Sequence, residues 1–318
     1  MAERPQRVLV TGGTGFVGRA VATRLERETD IITLRGSRRV QEATVLTPDL
    51  DPYADWSGAL RDVDALVHLA ARVHVMNDTA RDSLAEFRRV NTVGTERLAR
   101  QAARAGVRRF VLVSSIKVNG EETTCGRPFT ELDSPSPVDP YSLSKLEAEQ
   151  VVERIGKETG MEFVIIRPPL VYGPGVGANF RSMMDWLSRG IPLPLGAINN
   201  RRSLVAVDNL ADLITATLVH PAARNETFLA ADGEDLSTTQ LLRRLGHALE
   251  RPARLFPVAP TVLSAVLSMT GKGVMGRRLL QSLQVDSSKA RTLLSWTPPV
   301  SVDAGLRSAA VAYRGGSF

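Results

Sequence analysis

The segment VLVTGGTGFVG, residues 8–18, constrains this chain more than any other stretch. It follows a short β-branched run and opens an amphipathic pattern, so it reads as a strand, a glycine loop and a helix start. It satisfies Gly13-x-Gly15-x-x-Gly18 and, with Thr11 and Gly12, Thr-Gly-x-x-Gly-x-x-Gly. Glycines at this spacing permit a tight turn and close backbone approach, so that the helix N-terminus can face a pyrophosphate.

The first half keeps the same rhythm. RVLV (7–10), DIITL (30–34), ALVHL (65–69), RFVLVS (109–114) and EFVIIR (162–167) read as strands. Residues 17–28, 87–106 and 141–160 between them carry apolar residues at helical spacing. Strands that read as continuous apolar runs and alternate with helices predict an α/β fold, a Rossmann-type doubly wound parallel sheet. After about Pro168, Gly and Pro cluster in residues 167–180 and 190–200. A short strand (203–207) and several helices follow, one of them starting at a Ser237/Gln240 capping box. The expectation is a dinucleotide-binding domain over residues 1–175 and a smaller, mostly helical substrate lobe over 176–318. The chain is expected to cross back between them, with the lobe lying over the carboxyl ends of the strands.

Composition excludes several classes. With 318 residues, 43% of them hydrophobic, the chain can bury a sizeable core and does not read as disordered. A single cysteine, Cys125, rules out an internal disulfide, and His68, His74, His220 and His247 are too scattered to predict a metal site. The net charge of +6 rests on 40 basic residues, of which only Lys117, Lys145, Lys157, Lys272 and Lys289 are lysines. Arginine pairs spread along helices, with 5% aromatics, do not make a nucleic-acid-binding face. The N-terminal stretch lacks the apolar run of a signal peptide, which points to the cytoplasm. The most apolar later window, residues 258–269, contains Pro260, Ser264 and Ser268 and falls short of the roughly 20 residues that span a bilayer. It reads as a partly buried helix, with a membrane-surface helix as the other reading and no stable insertion.

A second motif carries the chemistry. Tyr141-x-x-x-Lys145 opens a helix, and Ser114 and Ser115 end the RFVLVS strand. A free phenol near pKa ~10 is a poor base. A lysine one helical turn along favours the phenolate, and a serine hydroxyl can share the substrate's hydrogen bond. Glycine loop, serine and Tyr-x-x-x-Lys, in this order and spacing, resemble the extended short-chain dehydrogenase/reductase family. The resemblance covers nearly the whole chain, through VHLAA (67–71), NTVGTERL (91–98), RPPLVYGPG (167–175), RRSLVAVDNLADL (201–213) and SWTPPVSVDAGL (295–306). It is similar to the nucleotide-sugar epimerase and reductase branch.

That resemblance implies roles. Tyr141 is the acid/base on a sugar hydroxyl or ketone, Lys145 holds the nicotinamide ribose, and Ser115 orients the substrate. Gly12, Gly15, Phe16, Val17 and Gly18 would line the cofactor's pyrophosphate, and Asp49 and Leu50 its adenine edge. Leu69, Ala70, Ala71, Asn91 and Pro168 complete the cofactor contacts. Asn179 and Arg202 would grip the diphosphate of a UDP-sugar, joined by Arg278 or its neighbour Arg277, with Lys117 as a further substrate contact. Relatives often form homodimers through the Tyr-x-x-x-Lys helix.

Two details narrow the reaction. Related 4,6-dehydratases place an Asp-Glu pair after the strand-end hydroxyl, whereas this chain has Ile116 and Lys117, which disfavours dehydration. No acid occurs from Ile31 to Arg39, where Arg35, Arg38 and Arg39 gather, so NADP is favoured over NAD. These details lean to 4-keto-reduction of a UDP-4-keto-6-deoxy-N-acetylhexosamine for surface-polysaccharide precursors. A UDP-glucose or UDP-N-acetylglucosamine 4-epimerase stands close behind, and a non-catalytic dinucleotide sensor is the remote alternative.

Overall fold

The computed structural model describes residues 5–39, 44–73, 82–124, 126–271 and 273–316, so His74, Cys125 and Lys272 lie outside the described residues. Strand β1 (Arg7–Thr11) leads into α1 (Phe16–Leu25), then β2 (Ile32–Ser37), β3 (Val45–Leu46) and β4 (Ala65–His68). Next come α2 (Ser83–Phe87), α3 (Thr95–Arg104), β5 (Arg109–Val113), α4 (Pro140–Thr159), β6 (Glu162–Arg167) and β7 (Leu170–Tyr172). Helix α5 (Ala178–Ser188), β8 (Leu204–Ala206), α6 (Val207–Val219), β9 (Glu226–Leu229) and α7 (Thr238–Ala248) follow. The chain closes with α8 (Pro260–Met269), α9 (Gly273–Leu280), α10 (Ser288–Leu294) and α11 (Val302–Arg314).

Seven strands form one parallel sheet in the order β3-β2-β1-β4-β5-β6-β9. Alternate residues of its central strands face opposite layers. Val8, Val10, Val67, Val111, Val164 and Ile166 meet Val21, Leu25, Leu210 and Ile214 of α1 and α6. Leu9, Leu66, Phe110, Leu112 and Ile165 meet Leu98, Ala102, Val152 and Ile155 of α3 and α4. Burial on both faces explains the continuous apolar runs, and each fully buried aliphatic side chain contributes about 1.5–3 kcal/mol. Strands β7 and β8 pair in a separate two-stranded sheet, around which Tyr172, Phe180, Met184, Leu242 and Leu306 form the second lobe's core.

The chain moves repeatedly between these layers. After β8 it returns to the main sheet as α6 and β9, and α10 later puts Ala290 and Leu294 into the same core as Val164. The helix expected over 87–106 is instead divided into α2, a π-helical segment Arg88–Gly94, and α3. The physical reason is local: Asn91 is bonded to the loop after β4, and a Cβ on Gly94 would stand 2.8 Å from the Leu50 side chain. The widened turn satisfies both constraints, and π segments are frequent at functional sites. Strand β2 runs three residues beyond the expected Leu34, because its register pairs Val10 with Arg35. The expected partly buried helix at 258–269 is α8, in which only Leu263 is fully buried.

Candidate active site

The glycine loop leaves β1 where the strand order turns from β2 on one side to β4 on the other, the place where open α/β sheets bind ligands. Gly12 has φ +68°, and a Cβ there would stand 2.9 Å from the Ala70 amide nitrogen. At Gly18 a Cβ would be 2.1 Å from the Gly12 carbonyl oxygen. Gly15 is the N-cap of α1 and no side chain caps it, so the first-turn N–H groups of Phe16, Val17 and Gly18 are offered to an anion. This cradle fits the pyrophosphate of a dinucleotide. Thr11 and His68 hydrogen-bond at 2.7 Å, and His68 reaches Thr95 at 3.0 Å on its other side. The same Thr11 hydroxyl accepts from the Ala70 amide, which fixes Leu69, Ala70 and Ala71 beside the loop.

His68 is therefore a structural residue, and complete burial beside Lys145 pushes its pKa down to about 3. An unfolded chain protonates this imidazole near pH 6.5, whereas the folded protein resists until about pH 3. Stability contributed by the neutral ring is lost as pH falls through that window, at up to about 1.4 kcal/mol per unit. Thermal midpoints should therefore decline from pH 6.5 toward pH 4 more steeply for the wild type than for His68→Asn. Equal slopes would remove His68 as the cause.

Helix α4 carries Tyr141 and Lys145, and its start fixes where they stand. Asp139 is the N-cap: its carboxylate accepts from the Ser142 amide at 2.6 Å, and its own amide donates to Ser142 Oγ. Pro140 follows at the first helical position, where its missing N–H costs nothing. This fixes Tyr141 in the first turn, its ring edge-on to Phe87 at 6.0 Å. Ser115 caps the short turn after β5 and hydrogen-bonds the Tyr141 phenol. Lys145, one turn further along, is buried and donates to the Val113 carbonyl at 2.9 Å. Ser115, Tyr141 and Lys145 are thus brought together at the carboxyl end of β5.

The electrostatics differ from the expectation that Lys145 eases Tyr141 toward the phenolate. Burial, with Asp139 nearby, pushes the phenol up to about 12, and the Ser115 hydrogen bond offsets only part of that. Burial likewise pushes Lys145 down to about 8, against the pull of Glu149. With its ammonium on a backbone carbonyl, Lys145 does not counter the phenol's desolvation. In this state Tyr141 is an acid holding its proton. Ser114 Oγ, at the same strand end, is buried without a hydrogen-bond partner, a polar atom left for something else to satisfy.

The remaining predicted residues fall into distinct places. Asn91 is buried, and its amide is shared between the Arg72 backbone and Ser144 of α4, so it ties the β4 loop to that helix. Pro168 is buried and its carbonyl accepts from Ile116. Arg35 lies inside β2, held in a two-pronged ion pair by Glu26. Arg38, just beyond the strand, pairs with Asp49 at 2.6 Å across an exposed surface. Leu50 is packed against Gly94. Lys117, expected as a substrate contact, has its ammonium 2.5 Å from the Asp139 carboxylate and 3.4 Å from Glu121. In the second lobe Asn179 opens α5 on an exposed turn. Arg202 donates to the Gln281 carbonyl, and its pKa is pushed down by burial and then by Arg278. The two guanidiniums therefore stand near enough to repel each other.

Asp139, which caps α4 and pairs with Lys117, is the site neighbour that residue spacing alone does not mark, although the string Asp-Pro-Tyr-Ser is a legible helix start. Phe87 and Glu149 carried no such signal, since both depend on contacts between distant segments.

Residues 8–231 match the NAD dependent epimerase/dehydratase family. The chain is 43% identical over 314 residues to the UDP-glucose 4-epimerase of Vibrio cholerae, covering 97% of this chain and 96% of that protein. Among solved structures, the UDP-N-acetylglucosamine 4-epimerase of Bacillus cereus superposes with a TM-score of 0.80 at 21% identity, over 98% of this chain and 100% of that one. RMD of Pseudomonas aeruginosa, complexed with NADPH, superposes at 0.78 with 21% identity, over 98% and 99% of the two chains. At these identities the two structures speak to the fold.

Proposed function

The chain belongs to the NAD dependent epimerase/dehydratase family, and from that premise we propose that it interconverts UDP-hexoses at C4. The observation that carries most weight is the 43% identity to a 4-epimerase along nearly the whole chain, with Ser115, Tyr141 and Lys145 assembled on it. The bound nicotinamide supplies a hydride acceptor and donor for sugar C4. The glycine cradle would hold its dinucleotide, and Lys145, at the carboxyl end of β5, would meet the ribose. Once its phenol has given up its own proton to solvent, Tyr141 Oη would take the proton of the C4 hydroxyl as the sugar is oxidised and return it to the ketone oxygen as the hydride comes back. Ser115 steadies that oxygen. Dehydration needs a second acid/base pair beside Ser115, but Ile116 is buried and apolar and Lys117 is committed to Asp139.

A second reading, net 4-keto-reduction with NADPH, is favoured by Arg38 at the end of β2. Its pair with Asp49 is exposed on both sides and therefore weak, so a 2′-phosphate can displace the carboxylate. Incubation with UDP-glucose and UDP-N-acetylglucosamine, and separately with a 4-keto-6-deoxy sugar plus NADPH, distinguishes the two. Epimer product without net absorbance change is expected. Stoichiometric NADPH oxidation without an epimer would replace the first reading by the second.

Arg202 and Arg278 are assigned to the substrate diphosphate, with Asn179 at its edge. A lost charge-assisted hydrogen bond is worth about 1.5–3 kcal/mol. Arg202→Ala should then raise KM for the UDP-sugar about 10- to 100-fold and leave dinucleotide affinity nearly unchanged. Equal losses for both ligands would count against the assignment.

A further inference from the structure

The hairpin of α8 and α9 has a pattern that the chemistry above does not use. Residues 251–285 carry Arg251, Arg254, Lys272, Arg277 and Arg278, and no Asp or Glu. In α8, Leu263 points into the second lobe's core, and Leu267 packs on α9, where a Cβ on Gly276 would stand 3.2 Å from it. Val262, Val266 and Met269 recur at i, i+4 and i+7 and so share a second stripe. They are 52%, 51% and 88% exposed, and Phe256 ahead of the helix is 47% exposed. An aligned apolar stripe facing solvent marks an interaction surface.

Charge decides what covers it. A second copy meeting this face would set cation against cation, with no acid in the segment to relieve the repulsion. An anionic lipid surface offers hydrocarbon to Val262, Val266 and Met269 and phosphate to the segment's other arginines, Arg251, Arg254 and Arg277. We propose that the α8–α9 hairpin docks the protein on anionic phospholipid membranes. It lies in the interface, for its two helices span Pro260–Met269 and Gly273–Leu280 and each is shorter than a bilayer requires. The same hairpin carries Arg278, assigned above to the substrate diphosphate.

Flotation of the full chain with vesicles tests this. Vesicles of equal phosphatidylglycerol and phosphatidylcholine are compared with pure phosphatidylcholine, each at roughly 50 mM and roughly 500 mM salt. Binding to the anionic vesicles, lost on neutral ones and weakened by salt, is expected. The triple variant Val262→Gln/Val266→Gln/Met269→Gln should bind about ten-fold or more weakly while keeping wild-type turnover, which shows it folded. Absence of binding, or equal binding by the triple variant, would overturn the proposal. So would a solution dimer that the triple variant converts to monomer, because the stripe would then be a contact between copies.

Discussion

Replacing Tyr141 with Phe lowers turnover about 10²- to 10⁴-fold, the usual worth of a positioned acid/base, while dinucleotide affinity stays within about three-fold. The ring itself is retained, so its edge-on contact with Phe87 survives and the start of α4 is undisturbed. Only the hydroxyl that meets Ser115 is lost. A phenol pushed up to about 12 enters with its proton in place, so the reductive half, in which it protonates the ketone oxygen, has most to lose. Product formation by chromatography and cofactor affinity by fluorescence titration separate the two effects. Turnover within ten-fold of the wild type would remove Tyr141 from the chemistry, and a matching loss of cofactor binding would make it a structural residue.

Glu149→Ala is expected to cost about 3–5 kcal/mol of folding stability. Glu149 lies one turn beyond Lys145 on α4, and both it and Arg167 of β6 are almost fully buried. Their carboxylate and guanidinium meet at 2.6 Å, with a second contact at 3.1 Å, and Arg167 also donates to Asn119 Oδ1. Removing the carboxylate leaves a buried guanidinium without its counter-charge, which is why breaking such a pair costs more than replacing it. Glu149→Leu with Arg167→Met should therefore recover most of the loss. Denaturant midpoints at fixed slope check both, and a double variant no better than the single would refute the argument. The carboxylate also supports the Lys145 ammonium, so its loss should move the Lys145 titration further below about 8.

What could be read from sequence follows from how local each signal is. β1, β4, β5 and β6 are buried on both faces, so their boundaries show as apolar runs with sharp ends. The Ser237 capping box is a contact across three residues, and it forms as expected. β9 went unread because ETFL (226–229) has no alternation of its own and becomes a strand only by pairing with β6. The π segment at Asn91 was invisible because it adds to a helical pattern without interrupting it. At the site, the glycine loop and Tyr141-x-x-x-Lys145 were legible as spacings. The Lys117–Asp139 pair, 22 residues apart, and the perch of Lys145 on the Val113 carbonyl needed three dimensions.

The return of α6 and β9 to the main sheet has a consequence for how the protein can be cut and evolve. A fragment ending near residue 175 would lack β9 and leave Val164 and Ile166 without Leu210, Ile214 and Phe228 over them. No single cleavage leaves both cores whole, since the core over the main sheet joins Val8 and Val10 to residues as late as Leu294 and Trp296. The two lobes should melt in one step and tolerate no modular exchange. Change in such a scaffold must come by substitution within a lobe, never by grafting another domain in its place.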